Sequence, residues 1–229
     1  PPFSGEVVEG YVWGRGAIDS KLTGAVGLQV LLLFKRLGLH LKRDLVLVAA
    51  SDEEQGGVKG VEWLIEHYPE VFDAEYGINE GGGFSILIDG HPFYTCQVAE
   101  KGSASLNLIG HGQPGHSSVP HNQNPIFCLA RALQALGEHK MPHRVPNSVH
   151  AFFNEAARVQ SRKEVGALLQ RFLDSKFQNE VLDQIPVNDA TRLMFDAMVR
   201  NTCAPTILEA GLKRNVIPSD ATAQLSGRP

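Results

Sequence analysis

Residues 45–50, Leu-Val-Leu-Val-Ala-Ala, lead through Ser51 straight into Asp52-Glu53-Glu54. No other feature narrows the fold as much. A continuous apolar run of this length reads as a strand buried on both faces, the habit of parallel sheets covered by helices. The flanking pattern agrees. Residues 19–37 read as a helix, with Leu22, Val26, Val30 and Leu33 on one stripe and Gly38 as the stop. Residues 58–68 read as a second helix closed by Pro69. Residues 76–79 read as a further strand that enters Glu80-Gly81-Gly82-Gly83. Strand and helix in alternation predict a sheet layered with helices.

The pattern changes near residue 98. Residues 84–88 and 93–98 alternate like antiparallel strands, and so do residues 103–109, with Ala104, Leu106 and Leu108 on one side. A loop over 110–121 is followed by a helix over about 124–138. Residues 150–200 are mostly helical, anchored by Leu168, Leu169, Phe172 and Phe177, and strands follow at 204–209 and 221–226. The expectation is an α/β domain over residues 1–98, with a mostly parallel sheet and helices on both faces. A smaller α+β domain follows over residues 99–229.

Composition removes several other classes. With 43% hydrophobic and 20% charged residues, the chain is not of the disordered type. A net charge of −4 leaves no electrostatic footprint for nucleic acid. The longest apolar stretch, residues 26–34, is broken by Gln29 and far too short to span a membrane. Cys96, Cys128 and Cys203 are too few and too scattered for a disulfide framework or a cysteine zinc site. Low cysteine use favours a reducing compartment.

Ligands of open parallel sheets bind beyond the carboxyl ends of the strands. Asp52-Glu53-Glu54 and Glu80 stand there, and Asp19 sits at another turn, between Gly-Arg-Gly and a helix start. Two bare carboxylates about 4 Å apart repel by roughly 4 kcal/mol at an effective dielectric near 20. Such a cluster needs protons, arginines or divalent cations. Adjacent side chains diverge, so one of Glu53 and Glu54 can bind metal while the other faces substrate. Each residue also has a plainer reading. Asp19 alone is a helix N-cap. The acidic triplet alone is a solvated turn or a set of first-turn carboxylates. Glu80 beside glycines is a loop residue. His116, in Gly115-His116-Ser117-Ser118, is a loop histidine with local hydrogen bonds. No Gly-x-Ser-x-Gly elbow, P-loop or His-Glu-x-x-His motif is present.

Seven motifs in order carry a resemblance. They are Pro-Pro-Phe-Ser-Gly at 1–5, Trp-Gly-Arg-Gly-Ala-Ile-Asp-Ser-Lys at 13–21, Asp-Glu-Glu at 52–54 and Asn-Glu-Gly-Gly at 79–82. Glu-Lys-Gly at 100–102, Gly-His-Ser-Ser-Val-Pro at 115–120 and Asn-Val-Ile-Pro at 215–218 complete the set. Over essentially its whole length the chain resembles the di-zinc metallopeptidase family of glutamate carboxypeptidase, Gly-X carboxypeptidase, aminoacylase and succinyl-diaminopimelate desuccinylase. It is most similar to the Gly-X carboxypeptidase and N-acyl-amino-acid hydrolase branch.

The resemblance implies two zinc ions, with cobalt or manganese as other possible metals. It implies Asp19 as their bridging ligand, Glu54 and Glu80 as further ligands, Glu53 as general base and His116 as stabiliser of the tetrahedral intermediate. It implies Asn215 and Arg228 as substrate contacts, although Ser226 stands where relatives carry an acidic residue two positions before that arginine. The implied reaction is hydrolysis of an amide bond in a small peptide or N-acyl amino acid. Desuccinylation or deacetylation in amino-acid biosynthesis, or binding without catalysis, are the alternatives. The second domain is implied to act as lid and dimerisation domain in a homodimer. Two family histidines have no counterpart: no histidine occurs in the 18 residues before Asp19, and the other belongs beyond residue 229. The expectation is a fragment that supplies three carboxylate ligands.

Overall fold

The computed structural model describes residues 1–229, Gly82 for its backbone alone. The chain divides into two compact units, 1–81 and 82–229.

The first unit opens on a hairpin of β1 (Glu6–Val8) and β2 (Tyr11–Trp13), with Val7 opposite Val12. Glu9 and Gly10 both take positive φ, as the tight two-residue turns of twisted hairpins require. Helix α1 (Lys21–Arg36) carries Lys35 and Arg36 in its last turn, where cations complement the helix dipole. After Asp52 comes one 3₁₀ turn, Glu53–Gln55. A π-helical turn, Val58–Glu62, then runs into α2 (Trp63–His67), and α3 (Pro69–Phe72) starts with its proline in the first turn.

Here the structure departs from the sequence reading. Residues 45–50 and 76–79 join no ladder, and every strand pair among the described residues is antiparallel. The expected parallel sheet is not formed. A strand buried on both faces needs hydrogen-bonded neighbours along its edges, and no described strand supplies one to residues 45–50. Without a sheet to cover, the α1 stripe of Leu22, Val26, Val30 and Leu33 stays 39–66% exposed. The helices still approach the run. A Cβ on Gly27 would lie 3.0 Å from Leu47 Cδ1, and one on Gly60 would lie 1.7 Å from the Ser51 carbonyl oxygen. Both helical turns therefore pack against residues 47–51, tightly at Gly27, and at Gly60 against backbone where only glycine fits.

The second unit holds two cores. Hairpin β3 (Gly82–Ile88) and β4 (His91–Cys96) turns on Asp89-Gly90, both at positive φ. Ile86, Ile88 and Phe93 pack with helices α5 (Asn147–Arg158), α6 (Lys163–Phe172), α7 (Gln178–Val181) and α8 (Asp189–Met198). These helices follow α4 (Pro125–Glu138) in the chain. Phe153 sits at the centre, 4.8 Å from the Phe195 ring and 5.1 Å from each of Phe152 and Phe172. Such offset and edge-on pairs add stabilisation beyond burial alone. The hairpin, read from sequence as the end of the first domain, thus belongs by its packing to the unit that starts at Gly82.

The other core lies under a three-stranded sheet. Strand β9 (Asp220–Arg228) is central, paired antiparallel with β5 (Ala104–His111) on one edge and β7 (Thr202–Ala210) on the other. Ala221, Ala223 and Leu225 alternate onto one face and meet Leu129, Leu133 and Leu136 of α4. Asn124 starts α4 properly: its Oδ1 accepts the Ile126 N–H at 2.9 Å, and Pro125 occupies the first turn. A short ladder of β6 (Gly115–His116) and β8 (Val216–Ile217) completes the unit.

Candidate functional site

Asp19 and Glu54 line one cavity of about 780 Å³ in the first unit, with Trp13, Arg15 and Ile18 also on its wall. Asp19 precedes α1 without capping it; Ser20 is the N-cap residue and makes no side-chain cap bond. The plain N-cap reading of Asp19 therefore does not apply. Ser20 Oγ instead donates to Glu80 Oε2 at 2.7 Å. This bond ties the turn after residues 76–79 to the start of α1 and puts Glu80 next to the residue that follows Asp19. The acidic triplet is shaped by its backbone. Asp52 holds φ 68°, its carbonyl accepts the Gly57 N–H at 2.7 Å, and its Oδ2 accepts the Lys59 N–H at 3.0 Å. Asp52 is thus used up in shaping the turn, which leaves Glu53 and Glu54 as the exposed carboxylates.

Tested against a metal, the donors fit in kind and not in assembly. Carboxylate oxygens suit divalent cations. Among the described residues, however, no three histidine, cysteine or acidic side chains stand close enough together to hold an ion. The structure places Asp19 and Glu54 on one cavity and ties Glu80 to Ser20, the residue after Asp19, without assembling the three carboxylates into a coordination set.

In the second unit, the β6–β8 ladder sets His116 opposite Val216, and the Ser117 N–H donates to the Asn215 carbonyl at 3.0 Å. Two predicted site residues far apart in sequence are therefore neighbours. His116 is exposed, and its Nδ1 is engaged by Ser118: the backbone N–H at 3.2 Å and Oγ at 2.7 Å. Those are the local bonds that the plain reading of a loop histidine anticipates. Arg228 is not brought to this pair. It pairs with Thr202 at the end of β9 remote from Asp220 and β8, roughly 27 Å away at about 3.4 Å per residue.

Close by, His111 Nδ1 contacts Asp220 Oδ1 at 2.5 Å, and Ser219 Oγ donates to Asp220 Oδ2 at 2.6 Å. The Ser219 hydroxyl first, and His111 second, hold the Asp220 carboxyl below its ordinary range. Ser20 and Ser118 had no role assigned from sequence. Ser118 left a faint signal there, as a hydroxyl two residues from a loop histidine; Ser20 left none, because its partner is sixty positions away.

Comparison with known proteins accounts for the motif order. The description of peptidase family M20/M25/M40 matches residues 1–158, and that of a peptidase dimerisation domain matches residues 98–229. The chain is 31% identical over 236 residues to the N-fatty-acyl-amino acid synthase/hydrolase of Xenopus tropicalis, covering 100% of this chain and 44% of that protein. It is 30% identical over 238 residues to a carboxypeptidase S-like protein of Dictyostelium discoideum, with the same coverages of 100% and 44%. A succinyl-diaminopimelate desuccinylase of a Bradyrhizobium strain is 31% identical over 151 residues, 62% of this chain and 37% of its own length. The chain thus spans about half the length of the curated relatives it matches. With the family's description matched across more than half of its residues, this chain is a member of peptidase family M20/M25/M40, metal-dependent hydrolases, and carries a match to a peptidase dimerisation domain.

Proposed function

We propose that the protein hydrolyses an amide bond beside a carboxylate, in a small peptide or an N-acyl amino acid, at a centre of two zinc ions. The observation that carries this reading is the gathering of Asp19 and Glu54 on one cavity, with Glu80 tied to Ser20. The names of the Xenopus and Dictyostelium relatives, an N-fatty-acyl-amino acid synthase/hydrolase and a carboxypeptidase S-like protein, support the substrate class.

In this reading Asp19, Glu54 and Glu80 hold the metal, with further ligands completing the set. Bound metal would supply Lewis-acid polarisation of the carbonyl and a lowered pKa for water. Glu53 takes a proton from the attacking water as its oxygen bonds to the carbonyl carbon. Glu53 then delivers that proton to the leaving nitrogen as the C–N bond breaks. His116 donates an N–H to the oxyanion, from the same chain or from a second copy in a homodimer. Asn215, held beside His116, contacts the substrate. The match to a desuccinylase over 62% of the chain favours N-succinyl amino acids as the second substrate class.

The test is an amidase assay on dipeptides and N-acyl amino acids, with zinc-loaded and chelator-treated protein. Glu53→Gln is expected to lower turnover by about 10²–10⁴-fold with metal content unchanged. Full activity in Glu53→Gln, or activity indifferent to chelation, refutes the reading.

A further inference from the structure

A backbone N–H can only donate. The Ser118 N–H lies 3.2 Å from His116 Nδ1 and meets hydrogen-bond geometry. That nitrogen must therefore present its lone pair, and the Ser118 Oγ–H, 2.7 Å away, must donate to it as well. A neutral ring with its lone pair at Nδ1 carries its proton at Nε2. Nε2 takes no hydrogen bond among the described residues, and the side chain is exposed.

We infer that Ser118 is a positioning residue that holds His116 as the Nε2–H tautomer, leaving that N–H available to an acceptor on the substrate. The inference rests on the oxyanion role proposed above for His116 and adds what makes that role possible. The opposite tautomer would turn a lone pair toward a developing negative charge and repel it. An oxyanion contact of the preorganised kind needs the donor in place before reaction.

The turn that sets the tautomer is itself well held. The Val119 N–H donates to the His116 carbonyl at 3.0 Å, and the Ser117 N–H donates to Asn215 at 3.0 Å. The β6–β8 pairing fixes Gly115 against Ile217 and His116 against Val216. Nearby, His121 repeats the device in part: its Nδ1 accepts the Gln123 N–H at 3.3 Å, two residues on. His121 has no hydroxyl at that position and lies outside the proposed chemistry. It therefore serves as an internal reference.

The experiment reads the ring nitrogens directly, by long-range ¹H–¹⁵N correlation on the ¹⁵N-labelled protein at mildly alkaline pH. His116 signals are assigned by their loss in His116→Gln. Wild type is expected to show a pyridine-like Nδ1 and a pyrrole-like Nε2 at both His116 and His121. Ser118→Ala removes one of the two donors. A population with the proton on Nδ1 is expected to appear at His116 alone, and kcat to fall about fivefold with KM unchanged. Ser118→Thr restores both readings. A wild-type His116 protonated on Nδ1 overturns the inference, and so does a Ser118→Ala protein with unchanged ring signals. If the tautomer responds as expected while His116→Ala retains full activity, the oxyanion role fails and the tautomer control by Ser118 stands. Ser118 is exposed, so loss of folding does not confuse the result.

Discussion

Gly60→Ala is the sharpest available perturbation of the acidic turn. A Cβ built there lies 1.7 Å from the Ser51 carbonyl oxygen, and real Cβ atoms essentially never come within 3.0 Å of another heavy atom. The obstacle is backbone, so it cannot rotate aside; the carbonyl must retreat by more than an ångström. Overpacking of this kind costs about 1–3 kcal/mol. Against that, alanine gains about 1 kcal/mol over glycine in a helix interior. Gly24→Ala in α1 isolates the second term, since nothing lies within 4 Å of its added Cβ. Gly24→Ala is expected to raise the melting temperature of a unit this size by about 4–8 °C, and Gly60→Ala to lower it by a similar amount. Ser51 is two residues from Glu53, and misplacement of reacting groups by about 1 Å can cost about 10²-fold in rate. Thermal unfolding by circular dichroism, paired with the amidase assay, reads both arms. Equal melting temperatures for the two variants would refute the close packing of the 58–62 turn on Ser51.

Two further outcomes are expected. Phe153→Ala empties the centre of the ring cluster and should cost about 3–5 kcal/mol, read from the urea midpoint. Phe127→Ala, 60% exposed, should stay within about 0.5 kcal/mol, and similar values for both would misplace the core. Acidification should weaken the second unit through His143. Desolvation, chiefly, lowers its pKa from the ordinary 6.5, with the Phe172 backbone and Asp174 opposing and Arg200 and His150 adding to the shift. The unfolded chain therefore binds the proton first, and stability falls as pH drops through 6.5 toward the lowered value. In His143→Gln the same pH titration of unfolding should be flatter; an unchanged slope would remove His143 from the account.

What could be read in the sequence was local. The alternation in residues 84–88 and the helix start near residue 124 each act over a few residues, and each appears where expected. The helical periodicity of residues 21–36 likewise formed α1. Residues 45–50 went otherwise because a parallel strand exists only through neighbours that its own sequence does not contain. The ladder β6–β8 was missed because two-residue strands leave no periodic signal, yet it joins His116 to Asn215. Asp52, read with its two neighbours as one acidic cluster, spends its side chain on the Lys59 N–H, a bond invisible until the turn is folded. At Arg228 the family resemblance implied a substrate contact, and the length of β9 separates it from the other candidates of its unit.

The central place of β9 has a consequence for how the protein comes into being. Its Gly227 pairs with Ala104 of β5, more than a hundred residues earlier in the chain, and among the described residues neither β5 nor β7 pairs with another strand. On the ribosome, β5, all the helices of the second unit and β7 are made before the strand that joins them. Closing so long a loop is entropically costly and slow, and unpaired strand edges invite association in the meantime. The helices around Phe153 can collapse early, because their contacts are short in sequence. The sheet must wait. Nascent chains should therefore engage chaperones until Arg228 has cleared the exit tunnel, the point at which β9 can join β5 to β7.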